Sequence, residues 1–208
     1  MTSSKSDSGT PFATKGGLRW DRQAQVHATA YLSGLAREAV SRGVEIFEGT
    51  QVTSVHEGEP CRIEANGHAI TARHVLVAAN VPVNNRVLLL TKTPAYRSYA
   101  IAAEIEPGSM RGLFWDTDDP YHYTRPHIAK GRTWLVIGGE DHRTGEEQDT
   151  DARYQNLIDY ARARFPIGPV KYRWSGQIIE PVDGLPYIGP NSGSSHVHRG
   201  TGDAGNGI

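Results

Sequence analysis

GTGDAGNGI, residues 200–208, is the stretch on which the reading of the whole chain turns. Gly200, Gly202 and Gly205 satisfy G-x-G-x-x-G, the spacing of a dinucleotide-binding turn. That fingerprint works between a strand and a helix, with an acidic residue about 20 positions further on for the ribose. Only three residues follow Gly205. A phosphate loop is excluded here, and the glycines need another role.

Upstream, WSGQIIEPVDGLPYIGP (174–190) reads as a strand and a turn-rich loop. Asp183 and Gly184 give the turn signal, and Pro186 and Pro190 fix extended backbone around Tyr187–Gly189. SSHVHRG (194–200) is polar and reads as a solvated loop. The first third has a different rhythm. In ATAYLSGLAREAVSRG (28–43) the apolar residues Tyr31/Leu32, Leu35/Ala36 and Ala39/Val40 recur at helical spacing. His27 or Thr29 caps this helix and Gly43 ends it. VEIFEG (44–49) and TQVTSVHEG (50–58) read as two short strands or one bent one. CRIEA, Asn66-Gly67 and HAITA form a hairpin with a type I′ turn. Val75–Ala79 is a continuous apolar run, as in a strand covered on both faces.

From Tyr96 the pattern changes to successive strands: YRSYAIAAEIE, GLFWDTD, YHYTRPH and RTWLVIGGED. A helix over 151–165 follows, stopped by Pro166. The fold class expected is α/β, with an antiparallel sheet inserted into it.

Composition narrows the functions. The 208 residues carry a net charge of −1, so no global field favours nucleic acid. No apolar run is long enough to span a membrane. Residues 1–17 are Ser/Thr/Gly-rich, lack the apolar core of a leader and are expected to be a disordered tail. Cys61 is the single cysteine and reads as a buried, inert thiol. This suits a reducing compartment, the cytoplasm.

Four stretches together carry a resemblance: 31–55, 67–80, 174–190 and 200–208. The sequence resembles the C-terminal part of the D-amino-acid oxidase/glycine oxidase superfamily of FAD-dependent oxidoreductases. Within it, the likeness is to the subgroup in which such a domain often precedes a Rieske iron–sulfur domain. The resemblance implies a partial FAD-binding, glutathione-reductase-like α/β domain made of residues 18–95 and 175–208. Residues 96–174 would form the antiparallel substrate-type domain. The terminal glycines would then let the backbone approach the flavin ring, where a Cβ would obstruct.

The same resemblance assigns candidate residues. Val52 would contact the adenine through its backbone, and Ala79 and Asn80 would lie near the pyrophosphate. Gly202, Gly205, Asn206, Gly207 and Ile208 would neighbour the flavin. Strand alternation sends Tyr121, Tyr123 and Arg125 to one face, which by resemblance roofs the substrate. Gln177 is a further polar candidate there. Ile178 stands where amino-acid oxidases of this kind place an arginine for the substrate carboxylate.

The family's own G-x-G-x-x-G unit needs about 30 residues, more than the 17 of the N-terminal stretch. FAD is therefore expected to bind weakly or not at all to this chain alone. No acid–base residue is singled out, because the flavin performs the chemistry. His196-x-His198 lacks further ligands in sequence, so no metal site is expected. The Cys/His pairs of a Rieske centre are absent, so such a domain would lie downstream in a full-length protein. The leading reading is a partial flavoenzyme that oxidises a small amine or amino acid at a C–N bond. A non-catalytic remnant or binding module that keeps the fold without FAD is the alternative. An α/β enzyme of another class is a third.

Overall fold

The computed structural model describes residues 12, 14–80, 93–190 and 193–204. The first element is helix α1 (Ala28–Ser41). His27 caps it, its Nδ1 accepting from the Ala30 N–H at 3.3 Å, and Gly43 ends it at φ +88°. The expected apolar stripe is present, but no residue of α1 is buried and Leu32 is 62% exposed. Residues 44–49 do not form the expected strand, and Val44, Ile46 and Phe47 are exposed. A strand forms only against a neighbour that takes up its backbone hydrogen bonds. Among the described residues, nothing pairs with this one.

β1 (Val52–His56), β2 (Cys61–Ala65) and β3 (His68–Ala72) make an antiparallel meander. Asn66 (φ +48°) and Gly67 (φ +80°) turn its second hairpin, both in the left-handed region that a type I′ turn requires. Cys61 is fully buried, its thiol donating to the Gly58 carbonyl at 3.4 Å. β4 (Val75–Ala78) follows. It was expected to be covered on both faces, but only one is. Val75 and Val77 pack against Val55, Cys61 and Ile63, whereas Leu76 is 65% exposed.

The larger sheet contains β5 (Ala95–Ile105), β6 (Phe114–Trp115), β7 (His122–Ala129), β8 (Arg132–Arg143) and β9 (Val170–Ile179). All pairings are antiparallel, in the order β6-β7-β8-β5-β9. Helix α2 (Thr150–Arg164), capped by Asp149, lies on one face. Its Leu157 and Ala161, with Phe165, meet Tyr99, Ile101, Leu135 and Ile137. Full burial of Leu157 alone contributes about 2 kcal/mol. Phe12, within the stretch expected to be a tail, packs edge-on to Phe165 with ring centroids 5.3 Å apart. An aromatic ring next to an open apolar groove removes more surface from water by docking than by staying free. β9 pairs with β5 along nearly its whole length, from Val170 to Ile179. The expected domain boundary at 174/175 therefore falls inside a strand.

β10 (Tyr187–Pro190) and β11 (Val197–Thr201) return the chain to β4. Their order is β10-β11-β4, with β11 parallel to β4. The polar stretch expected to be a loop is thus largely a strand. Its alternate residues Val197, Arg199 and Thr201 are buried.

Candidate functional site

β4 and β11 run parallel and end together. At that end Asn80 Nδ2 donates to the Gln177 carbonyl at 2.9 Å, and Thr201 Oγ1 donates to the Asn80 carbonyl at 2.9 Å. The Ala204 N–H donates to the Ile179 carbonyl at 3.2 Å. The carboxyl ends of parallel strands are where open α/β sheets bind ligands. Of the expected cofactor residues, Ala79, Asn80 and Gly202 meet here. Val52 stands in another sheet, paired with Ala65. Gly205, Asn206, Gly207 and Ile208 lie outside the described residues.

Gly202 is required by its surroundings. Its φ is +81°, and a Cβ there would lie 2.7 Å from Pro181 Cγ. The glycine closes the gap between β11 and the Pro181 turn. Pro181 and Tyr187 are what the described residues place against it.

The second half of the site is the sheet face opposite α2. Tyr121, Tyr123 and Arg125 share it, because His122 and Thr124 between them point into the α2 side and are buried. Tyr121 Oη donates to Asp141 Oδ2 at 2.9 Å. Burial, then the Asp141 charge, pushes the Tyr121 hydroxyl well above its ordinary range, and the same two causes raise Tyr123. Trp115 stacks on Tyr121, with centroids 5.2 Å apart. Burial and then Asp141 also raise the carboxyl of Glu180. Arg125 reaches Gln25 Oε1 at 3.3 Å.

Gln177 does not join this face. Its strand neighbours of the same parity, Ser175 and Arg173, bind Arg97 and Asp151 on the α2 side. Ile178 has the opposite parity, shared with Trp174, and is paired with Tyr96. The Gln177 contribution described here is its backbone carbonyl.

Asp141 was not foreseen from sequence, and the reason is a break in alternation. β8 bulges at Gly139 (φ +132°) and Glu140 (φ +56°), where its pairing with β5 shifts register. The doublet Gly138-Gly139 was the available signal. Glu140 is buried on the α2 side. It pairs with His122 Nε2 (3.2 Å) and accepts from Arg153 Nη1 (3.3 Å) and Asn156 Nδ2 (2.9 Å). His122 Nδ1 pairs with Asp116 Oδ2 at 2.9 Å, and its ring stacks on Tyr160 at 4.0 Å. Burial, then Asp116, raises the Tyr160 hydroxyl to about 12. This buried network holds the bulge, and the bulge presents Asp141 to the opposite face. Asp116, Asp118 and His122 also bring ligand atoms within 4.8 Å of one another. Asp116 there already accepts from the N–H groups of His122 and Asp118, which satisfies the loop internally.

Residues 4–208 match the DAO family, described as FAD dependent oxidoreductase. The chain belongs to that family. It is 28% identical over 184 residues to the Bacillus subtilis protein YhfW, described as a Rieske 2Fe-2S iron–sulfur protein; these are 88% of this chain and 36% of that protein. Its fold is that of glycine oxidase from Geobacillus kaustophilus, with a TM-score of 0.74 and 21% identity over 88% of this chain and 50% of that one. Iminodiacetate oxidase from Chelativorans sp. BNC1 gives 0.66 and 17%, over 86% and 50%. The chain thus spans half or less of the length of these relatives.

No strand–turn–helix unit with G-x-G-x-x-G occurs among the described residues. No helix among them is long and apolar enough to cross a membrane.

Proposed function

We propose that this chain supplies the flavin-ring edge and substrate roof of an enzyme that oxidises a small amine or amino acid at a C–N bond. The observation that carries the reading is the bond from Asn80 to Gln177, which ties the cofactor end of β4 to the substrate-type sheet. FAD, when bound, supplies the hydride acceptor. The residues of this chain bind and orient. Asn80 lies near the pyrophosphate, and Gly202 and the terminal glycines Gly205 and Gly207 border the ring. Trp115, Tyr121 and Tyr123 wall the substrate and exclude water. The acidic pair Asp141 and Glu180, with Ile178 in place of an arginine, favours an amine over a carboxylate.

The FAD phosphates and adenosine are held by a βαβ unit in another part of the same polypeptide. The exposed apolar residues Leu32, Leu35 and Phe47 support this, since such a unit would cover them. Alone, the chain holds FAD weakly or not at all. The likeness to YhfW, described as a Rieske iron–sulfur protein, supports a Rieske domain as partner in the same polypeptide. Buried Cys61, with no second cysteine to pair with, supports a cytoplasmic location.

The test joins the chain to a βαβ unit bearing G-x-G-x-x-G and reads flavin absorbance after desalting. Retention in the joined protein and loss from the chain alone is the expected result. A joined, folded protein that stays colourless sides with the non-catalytic module.

A further inference from the structure

We propose a transition-metal site formed by His74, His196 and His198. The fold assembles it from residues far apart in sequence. β4 and β11 are parallel, with Val197 opposite Val75 and His198 opposite Leu76. That register sets His74, just before β4, beside His196, just before β11. The His74 ring centroid lies 5.3 Å from that of His196 and 5.9 Å from that of His198. With metal–nitrogen bonds of about 2.0–2.1 Å and tetrahedral angles, two imidazoles on one zinc ion have centroids about 5 Å apart. Both His74 pairs are already spaced close to what a shared ion imposes.

The surroundings suit a metal. His196 Nδ1 lies 3.1 Å from Glu57 Oε1, which leaves Nε2 for the ion. A carboxylate behind a ligating histidine orients its ring and raises its basicity. Glu57 is itself held by the N–H groups of Ser195, His196 and Val197, at 2.9, 2.9 and 3.1 Å. His196 and His198 are partly exposed and His74 is exposed, so an ion has access. Convergence of the three nitrogens takes reorientation of the rings, and the His74 ring makes no hydrogen bond among the described residues. Three neutral imidazoles with a fourth position left to water suit Zn²⁺, Ni²⁺ or Cu²⁺.

This site is separate from the flavin site. It sits at the amino ends of β4 and β11, and Asn80 lies about 20 Å further along at about 3.3 Å per residue. An ion there clamps the parallel pair together, and the inference stands independently of the proposed oxidase activity.

Calorimetric titration of the untagged 208-residue chain with Zn²⁺, with Co²⁺ absorption as a spectroscopic check, tests it. One equivalent should bind and raise the melting temperature. His74→Ala and His198→Gln should each weaken binding at least tenfold, and Glu57→Gln by roughly ten- to a hundredfold. Asp116→Asn should leave it unchanged. No saturable binding, or affinity that survives both histidine substitutions, overturns the site. Loss of binding in Asp116→Asn instead assigns the ion to the Asp116–His122 loop and also overturns it.

Discussion

Asn80 donates its side-chain amide to the backbone carbonyl of Gln177, 97 positions away, at 2.9 Å. The same residue accepts from Thr201 through its own carbonyl. One asparagine thus fixes the end of β4 against both β9 and β11.

Asn80→Ala removes the first of these bonds and keeps the second. The bond is exposed, so the loss in stability should be about 1 kcal/mol or less. Urea denaturation measures it. In the protein joined to its dinucleotide unit, flavin retention should fall further than stability does. An equal or absent effect on both would reduce Asn80 to a surface contact.

Glu140→Ala should destabilise by about 1–3 kcal/mol, because it takes a buried hydrogen-bond partner from His122 Nε2 and Asn156 Nδ2 and one of two carboxylates from Arg153. Thermal unfolding reads this directly. A shift typical of surface sites would show that the network does not hold the bulge.

Gly138→Ala and Gly139→Ala separate side chain from backbone. A Cβ at Gly138 meets the far end of the Tyr123 ring, whereas one at Gly139 meets the Tyr121 carbonyl. The first should displace Tyr123, change its fluorescence and leave the melting temperature nearly intact. The second also forces alanine to φ +132° and should impair folding. Equal stability of the two variants would contradict this geometry.

Acid should loosen the β11 end of the molecule. Burial acts to raise the Glu57 carboxyl, but the hydrogen bonds from Ser195 and His196 outweigh it and hold the group at about 2 against an ordinary 4.5. A depressed carboxylate contributes stability above its unfolded value, and this is lost as pH falls through the folded one. The melting temperature should therefore drop between 4.5 and about 2, and Glu57→Gln should flatten that limb. An acid limb that is unchanged in Glu57→Gln assigns the effect elsewhere.

What could be read in the sequence was local. Asn66-Gly67 specified its turn, His27 and Gly43 bounded α1, and Pro166 stopped α2, because each acts through its own backbone. The Tyr121/Tyr123/Arg125 face followed from simple alternation. What was missed needs a partner distant in the chain. VEIF is apolar enough for a strand but forms none without a neighbour. SSHVHRG is too polar to announce β11, yet β4 and β10 pair with it on either side. Asp141 is re-aimed by a bulge that alternation does not foresee. His74 meets His196 and His198 only once β4 and β11 align in parallel.

The central claim is that these strand ends border a flavin, and flavin retention tests it most directly. The chain is joined to a βαβ unit carrying G-x-G-x-x-G, saturated with FAD, desalted and scanned for flavin absorbance, beside the same protein with Gly205→Val. The account predicts stoichiometric yellow protein for the parent and marked loss in the variant, with both folded by circular dichroism. A folded parent that emerges colourless, or a Gly205→Val protein that keeps its full flavin, would contradict it.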